Sequence, residues 1–140
     1  ELEGIKTQGA EKRIRKLSLE DKVKMYGNQP NIIDFLKASD LLVQPSIEES
    51  SNQTIKEAAI VGLTAIVTKN IGDYDDYIND KQNAFFIKKN INAENLANLI
   101  EEIYNKKYNL EKMGINLKKT IKKRFSIKIT LEKYIELINN

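Results

Sequence analysis

The chain contains no cysteine and no histidine. The first absence excludes disulfides and thiolate metal sites, and points to a reducing, cytoplasmic setting. The second excludes imidazole-based triads and the common zinc ligand sets. No apolar run approaches the roughly 20 residues of a membrane span, and no signal-like segment opens the chain. Neither G-x-G-x-x-G nor a Walker phosphate loop is present, which disfavours a general dinucleotide or triphosphate binder. Charge of neither sign dominates. With 23 basic and 20 acidic side chains the formal charge is +3, which does not call for a nucleic-acid partner.

What is present suits one domain. A chain of 140 residues falls within the common domain size of about 100–150 and can bury roughly two-thirds of its unfolded surface. Apolar runs and helical periodicities alternate along it. Helices are predicted over 10–17, 32–38 (capped by Asn31), 52–61, 74–78, 93–104 (capped by Asn92), 109–124 and 127–138. Strands are predicted over 23–26, 41–44, 64–68 and 84–87. Leu2-Glu3-Gly4-Ile5 reads as the tail of a further strand, with a frayed terminus as the alternative. Such alternation means βαβ units: an α/β, Rossmann-like parallel sheet with helices on both faces, ending in C-terminal helices. Ligands of such sheets bind beyond the carboxyl ends of the strands. The loops 27–31, 45–52 and 69–73 are expected at that edge.

The stretch 41–62, LLVQPSIEESSNQTIKEAAIVG, carries the chemistry. Pro45 halts the strand, because proline cannot donate to a ladder. Ser50, Ser51 and Asn52 are capping residue types. Ile55, Ala58 and Ala59 then recur along one helical face, and Gly62 is placed to end the helix. Unpaired N–H groups and the positive dipole end make that helix start an anion site. Backbone groups of Ser50, Ser51, Asn52, Gln53 and Thr54 are placed to meet a phosphate or a sugar hydroxyl. Glu57 lies in the second turn, eight positions after Glu49. A carboxylate there would repel phosphate, so accepting bonds from vicinal hydroxyls, as for ribose, is its expected use. The plain alternatives are a solvated helix glutamate for Glu57 and a dipole-favoured loop carboxylate for Glu49. Glu48 is expected at the surface, Tyr26 and Gly27 at a nucleobase pocket through their backbone, and Gly72 in a turn.

These residues resemble a known pattern. Pro45-Ser46, Glu49, seven residues, Glu57-Ala58, a helix ending at Gly62 and a strand near Ala65 look like the E-x7-E region of retaining group 1 (family 4) glycosyltransferases. Upstream, Val23 to Gly27 and Ile33 to Asp40 with its Ala38-Ser39-Asp40, and downstream Ala65 to Thr68, Gly72, Tyr77-Ile78 and Asn83 to Ile87, follow that family's order; the likeness covers roughly residues 10 to 138. Departures are Ser50-Ser51-Asn52 where glycines are usual, Thr64-Ala65 before the strand, and Ala84 after Asn83.

The resemblance implies the C-terminal, nucleotide-sugar-binding half of a GT-B fold. It implies a donor such as a UDP- or GDP-sugar, no metal cofactor, and retaining hexosyl transfer to an acceptor held by an N-terminal domain. Glu49 would stand beside the donor sugar, binding hydroxyls or stabilising positive charge at the anomeric carbon, and Glu57 would take the ribose. The basic pair that holds the diphosphate in that family lies upstream, so residues 1–140 are expected to be a fragment, inactive alone. The alternatives are a nucleotide-sugar epimerase of the same architecture and a non-catalytic Rossmann-like interaction module. The basic run Lys118, Lys119, Lys122, Lys123, Arg124 and Lys128 is expected to be a solvated face, with Ile115, Leu117, Ile121 and Phe125 turned inward. A peripheral contact with the inner face of a membrane is the other use of such a run.

Overall fold

The structure, a computed structural model, describes residues 2–139. Glu1 and Asn140, at the ends of the predicted domain, lie outside the described residues. The chain divides into two units, Glu1–Asn31 and Ile32–Asn140.

In the first unit, α1 (Leu2–Lys16) ends on Arg13, Arg15 and Lys16, cations that complement the carbonyl end of a helix. The strand tail expected at Leu2 to Ile5 is therefore helical, in keeping with the good helix formers that follow it. No strand forms over 23–26 either. The backbone there has no ladder, and Val23, Met25 and Tyr26 are exposed. A short apolar run becomes a strand only when a neighbour takes up its N–H and C=O groups. The turn before it is closed locally: Val23 N–H donates to Leu19 O at 2.8 Å, and Lys24 Nζ to Glu20 O at 2.7 Å.

The second unit holds a three-stranded parallel sheet: β1 (Leu42–Gln44), β2 (Ala65–Thr68) and β3 (Phe85–Ile87), in that spatial order. Val43 pairs with Ile66, and Val67 with Phe86. β2 is buried along its whole length, which explains its uninterrupted apolar sequence. Its alternate residues face opposite ways. Ala65 and Val67 pack with Ile55 and Ala59 of α3 (Gln53–Val61) and with Leu117 and Ile121 of α5 (Leu110–Arg124). Ile66 packs with Phe85, Ile87, Ile103 and Met113, and Leu96 and Leu99 of α4 (Ala93–Glu102) lie against that cluster. The sheet is thus covered on both faces. A third cluster joins Leu36 of α2 (Ile32–Ala38) to Ala58 and Leu63.

Two connections differ from the periodicity. The helix expected over 74–78 is a single 3-10 turn, Tyr74–Asp76, because Asp73 and Asp75 turn their carboxylates to other partners. α4 passes into a π-helical turn, Ile103–Lys107. The last helix, α6 (Ile127–Asn139), exposes Ile127, Leu131, Tyr134, Leu137 and Ile138. On α5 the inward face is Met113, Gly114, Leu117 and Ile121. Ile115 falls outside that three-and-four spacing and is 44% exposed, and Phe125, past the last turn, is 38% exposed. Neither is core as expected. Among the described residues no helix is long and apolar enough to cross a membrane.

α3 ends at Gly62, whose φ of +87° is left-handed. Gly62 N–H donates to Ala59 O at 3.0 Å and Leu63 N–H to Ala58 O at 2.9 Å, a Schellman closure. Against this cap lies Gly114 of α5, where an added Cβ would come 1.7 Å from Gly62 O. The Gly114→Ala variant should therefore lose about 3 kcal/mol of stability in urea unfolding. The ~1 kcal/mol helix preference of alanine over glycine is too small to offset the overlap.

Candidate functional site

The loops 45–52 and 69–73 leave the carboxyl ends of β1 and β2, the edge where the sequence places the site. They come together at Gly72 and at Asp73. Gly72 has φ +55°, and a Cβ on it would lie 3.1 Å from Ser50 O and 3.2 Å from the Glu49 Cβ. The expected turn glycine thus also sets how closely the second loop approaches the first.

Glu49 sits half-buried at this contact with three donors on one oxygen. Its Oε1 accepts from Ser46 Oγ at 2.8 Å, Asn52 Nδ2 at 2.9 Å and Gln44 Nε2 at 3.3 Å. Gln44 Nε2 also donates to Ser46 Oγ at 2.8 Å. Oε2 accepts from no described residue. Of the three capping candidates, Asn52 is the cap of α3: its Oδ1 accepts from Ile55 N–H at 3.2 Å, and the residue is only 9% exposed.

Ser51 turns away to a second cluster. Its Oγ donates to Asp73 Oδ2 at 2.9 Å and accepts from Lys56 Nζ. Lys56 Nζ lies 3.0 Å from Asp73 Oδ2 and 4.4 Å from the centre of the Phe125 ring. Asp73 Oδ1 accepts from Tyr77 Oη at 3.2 Å. Burial pushes the Asp73 carboxyl upward, but bonds from Lys56 and Ser51 outweigh it and leave the group below its ordinary value of 3.8. Burial first, and then the Asp73 charge, drive the Tyr77 phenol far above its ordinary range. Tyr74 is fully buried and its hydroxyl has no hydrogen-bond partner among the described residues. Burial, with the charges of Glu49 and Asp73 adding to it, pushes this phenol up to about 12.

Glu57 is half-buried, and its side chain makes no hydrogen bond or ion pair with any described residue. It follows Gln53, which is exposed, by one helical turn on the same face of α3. Thr54 is half-buried and Ser50 exposed; Glu48 is exposed, as expected. Tyr26 and Gly27 belong to the first unit. There Tyr26 is 61% exposed with its carbonyl accepting from Gln29 Nε2 at 2.5 Å, and Gly27 has φ +63°. The second unit brings Glu49, Ser50, Ser51, Asn52, Gln53, Thr54 and Glu57 together at the start of one helix. Sequence reasoning missed Gln44, Lys56, Asp73 and Tyr74. Lys56 and Asp73 are 17 positions apart, and no local pattern announces their pairing.

The family model "Glycosyl transferases group 1" matches residues 3–120, and the chain belongs to that family. The trehalose synthase of Thermococcus litoralis is 30% identical over 136 residues, covering 93% of this chain and 32% of that protein. A glycosyltransferase structure from Rickettsia africae is 30% identical with a TM-score of 0.81, covering 94% of this chain and 35% of that one. HepE of Anabaena, solved in complex with UDP, has a TM-score of 0.85 at 22% identity, covering 95% and 36%. The chain thus spans about a third of the length of these relatives. Its fold is that of the C-terminal half of GT-B glycosyltransferases.

Two outcomes test the site's electrostatics. A group whose folded pKa is depressed contributes stability above its unfolded pKa, and loses it as pH falls through the folded value. The melting-temperature gap between wild type and Asp73→Asn should therefore hold from pH 7 to about 5 and close below about 4. Tyr74→Phe removes a buried hydroxyl without a partner, so thermal unfolding should show unchanged stability or a gain of about 1 kcal/mol.

Proposed function

We propose that this chain binds a nucleoside diphosphate sugar and takes part in retaining, metal-independent transfer of the hexose to an acceptor held by an N-terminal domain. The carrying observation is the pair of carboxylates at the start of α3. Among the described residues Glu49 is held by three donors with one oxygen left over, and Glu57 is half-buried with neither oxygen engaged.

The chemistry follows from the placement. First-turn N–H groups of α3 have no intrahelical partners and point, with the helix dipole, at whatever lies before Ser51 and Asn52. A diphosphate fits that end. Glu57, one turn further along, is suited to the two ribose hydroxyls, which would each donate to one of its oxygens. Glu49 Oε2 then faces the sugar. A carboxylate fixed there accepts a sugar hydroxyl and opposes the positive charge that grows at the anomeric carbon as the bond to the diphosphate breaks. That HepE has been solved with UDP and with UDP-glucose supports a UDP-sugar as first candidate, with a GDP-sugar as the other. Retention of configuration, the acceptor domain and a cytoplasmic location rest on the family resemblance.

Calorimetric titration with UDP, GDP and ADP tests this reading. One nucleotide should bind selectively, and Glu57→Ala should weaken it by about 1–3 kcal/mol, the range for charge-assisted hydroxyl bonds. Equal affinity of Glu57→Ala and wild type would remove the ribose role.

A further inference from the structure

The Asn52 side chain performs two tasks that a cap does not ordinarily combine. Its Oδ1 accepts from Ile55 N–H to close the first turn of α3, and its Nδ2 donates to Glu49 Oε1 at 2.9 Å. The first bond fixes the second. With the carbonyl oxygen committed to a backbone N–H, the amide cannot flip, so its NH2 group must face Glu49. On the other side, Gln44 Nε2 donates to Ser46 Oγ, whose single hydrogen goes to the same Glu49 oxygen. Donors on both flanks therefore pin Oε1, and a rotation of the carboxylate would break bonds to Asn52 and Ser46 together. Glu49 is left with Oε2, held in one place, as the oxygen that no described residue engages.

We propose that Asn52 and Ser46, with Gln44 behind it, are positioning residues that make Glu49 a one-oxygen acceptor and so set the sugar selectivity of the site. The proposal rests on the donor reading above. A freely turning carboxylate can follow whichever hydroxyl is offered; a pinned one accepts from a single ring position. Discrimination of this kind comes from a site built to bond one hydroxyl, which is left unpaired when that hydroxyl is missing. Asparagine is needed because the other good caps fail one task. Serine caps the helix but carries no second arm, and aspartate caps it while setting a like charge against Glu49.

Those two substitutions supply the test, since both keep the cap. The protein is titrated with UDP, UDP-glucose and the monodeoxy analogues of UDP-glucose, or with the GDP and GDP-mannose series if that base is preferred. In the wild type one deoxy position should cost about tenfold in affinity and the others much less. In Asn52→Ser the melting temperature should stay close to that of wild type while the single-position loss shrinks to about threefold or less, and Ser46→Ala, which lies outside the phosphate-facing backbone, should keep the affinity for the nucleoside diphosphate within about twofold of wild type. Asn52→Asp should weaken the sugar nucleotide more than the nucleoside diphosphate. Ser46→Ala, which leaves the helix cap alone, should repeat the Asn52→Ser pattern.

Persistence of the tenfold single-position dependence in both Asn52→Ser and Ser46→Ala would overturn the proposal. So would a parallel loss of nucleoside diphosphate and sugar-nucleotide affinity, which would mean that these residues merely hold the fold. Failure of the wild type to bind any nucleoside diphosphate would bring down the donor reading and this inference together. The first two outcomes leave the donor reading standing.

Discussion

The close approach of α3 and α5 is the constraint from which the site follows. Backbone meets backbone where Gly114 lies on the carbonyl of Gly62. No side chain keeps the two helices apart at that point, so Ile55 and Ala59 on one and Leu117 and Ile121 on the other close over the same face of β2. α3 is thereby held at its C-terminal end by a left-handed glycine and along its length by fully buried small and branched residues. Its N-terminus can then only project past the carboxyl end of β1, where the Glu49 loop arrives. The position of Glu49 is decided a helix length away from it, by the absence of a methyl group.

Much of this was legible in the sequence because it is written locally. β1, α3, β2 and β3 fall where apolar runs and three-and-four spacing put them, to within a residue or so at their ends. Asn92 and Asn109 cap α4 and α5 through side chains that bond three residues onward, a rule with short range. What failed depended on partners distant in sequence. Val23 to Tyr26 has strand composition and no ladder, and Ile115 is apolar but lies off the buried face of its helix. The site divided the same way. Glu49 and Glu57 could be named from the family resemblance and Asn52 among the capping residue types, whereas the engagement of Ser51 by Asp73 and Lys56 required the fold.

The Lys56–Asp73 pair shows what replaces glycine in this loop. A run of glycines would follow a tight path by lacking side chains. Ser50-Ser51-Asn52 follows it by using them: Ser51 is bonded to the second loop, Asn52 to Glu49 and the helix, and Ser50 is pressed by its carbonyl against Gly72. The same cluster reaches the far end of α5, because Lys56 also stands over Phe125 and Tyr77 packs edge-on against that ring at 5.5 Å. Arg124, beside it, bonds Asp76 at 2.7 Å. Since this second pair is half-exposed, its contribution is small, and the aromatic contact is the firmer tie.

The two carboxylates also differ in when they become ordered. Fixing a glutamate side chain costs up to about 1.5–2 kcal/mol in rotamer entropy. For Glu49 that freedom is already gone in the folded chain, since Gln44, Ser46 and Asn52 hold it before any ligand arrives. Among the described residues Glu57 has no such partners, so under the proposed donor binding its ordering falls on the binding step. In the proposed complex one end of the ligand would meet a carboxylate already held and the other a carboxylate that binding must order. On the proposed function, recognition at this site would be stiff where it must discriminate and compliant where it need only hold.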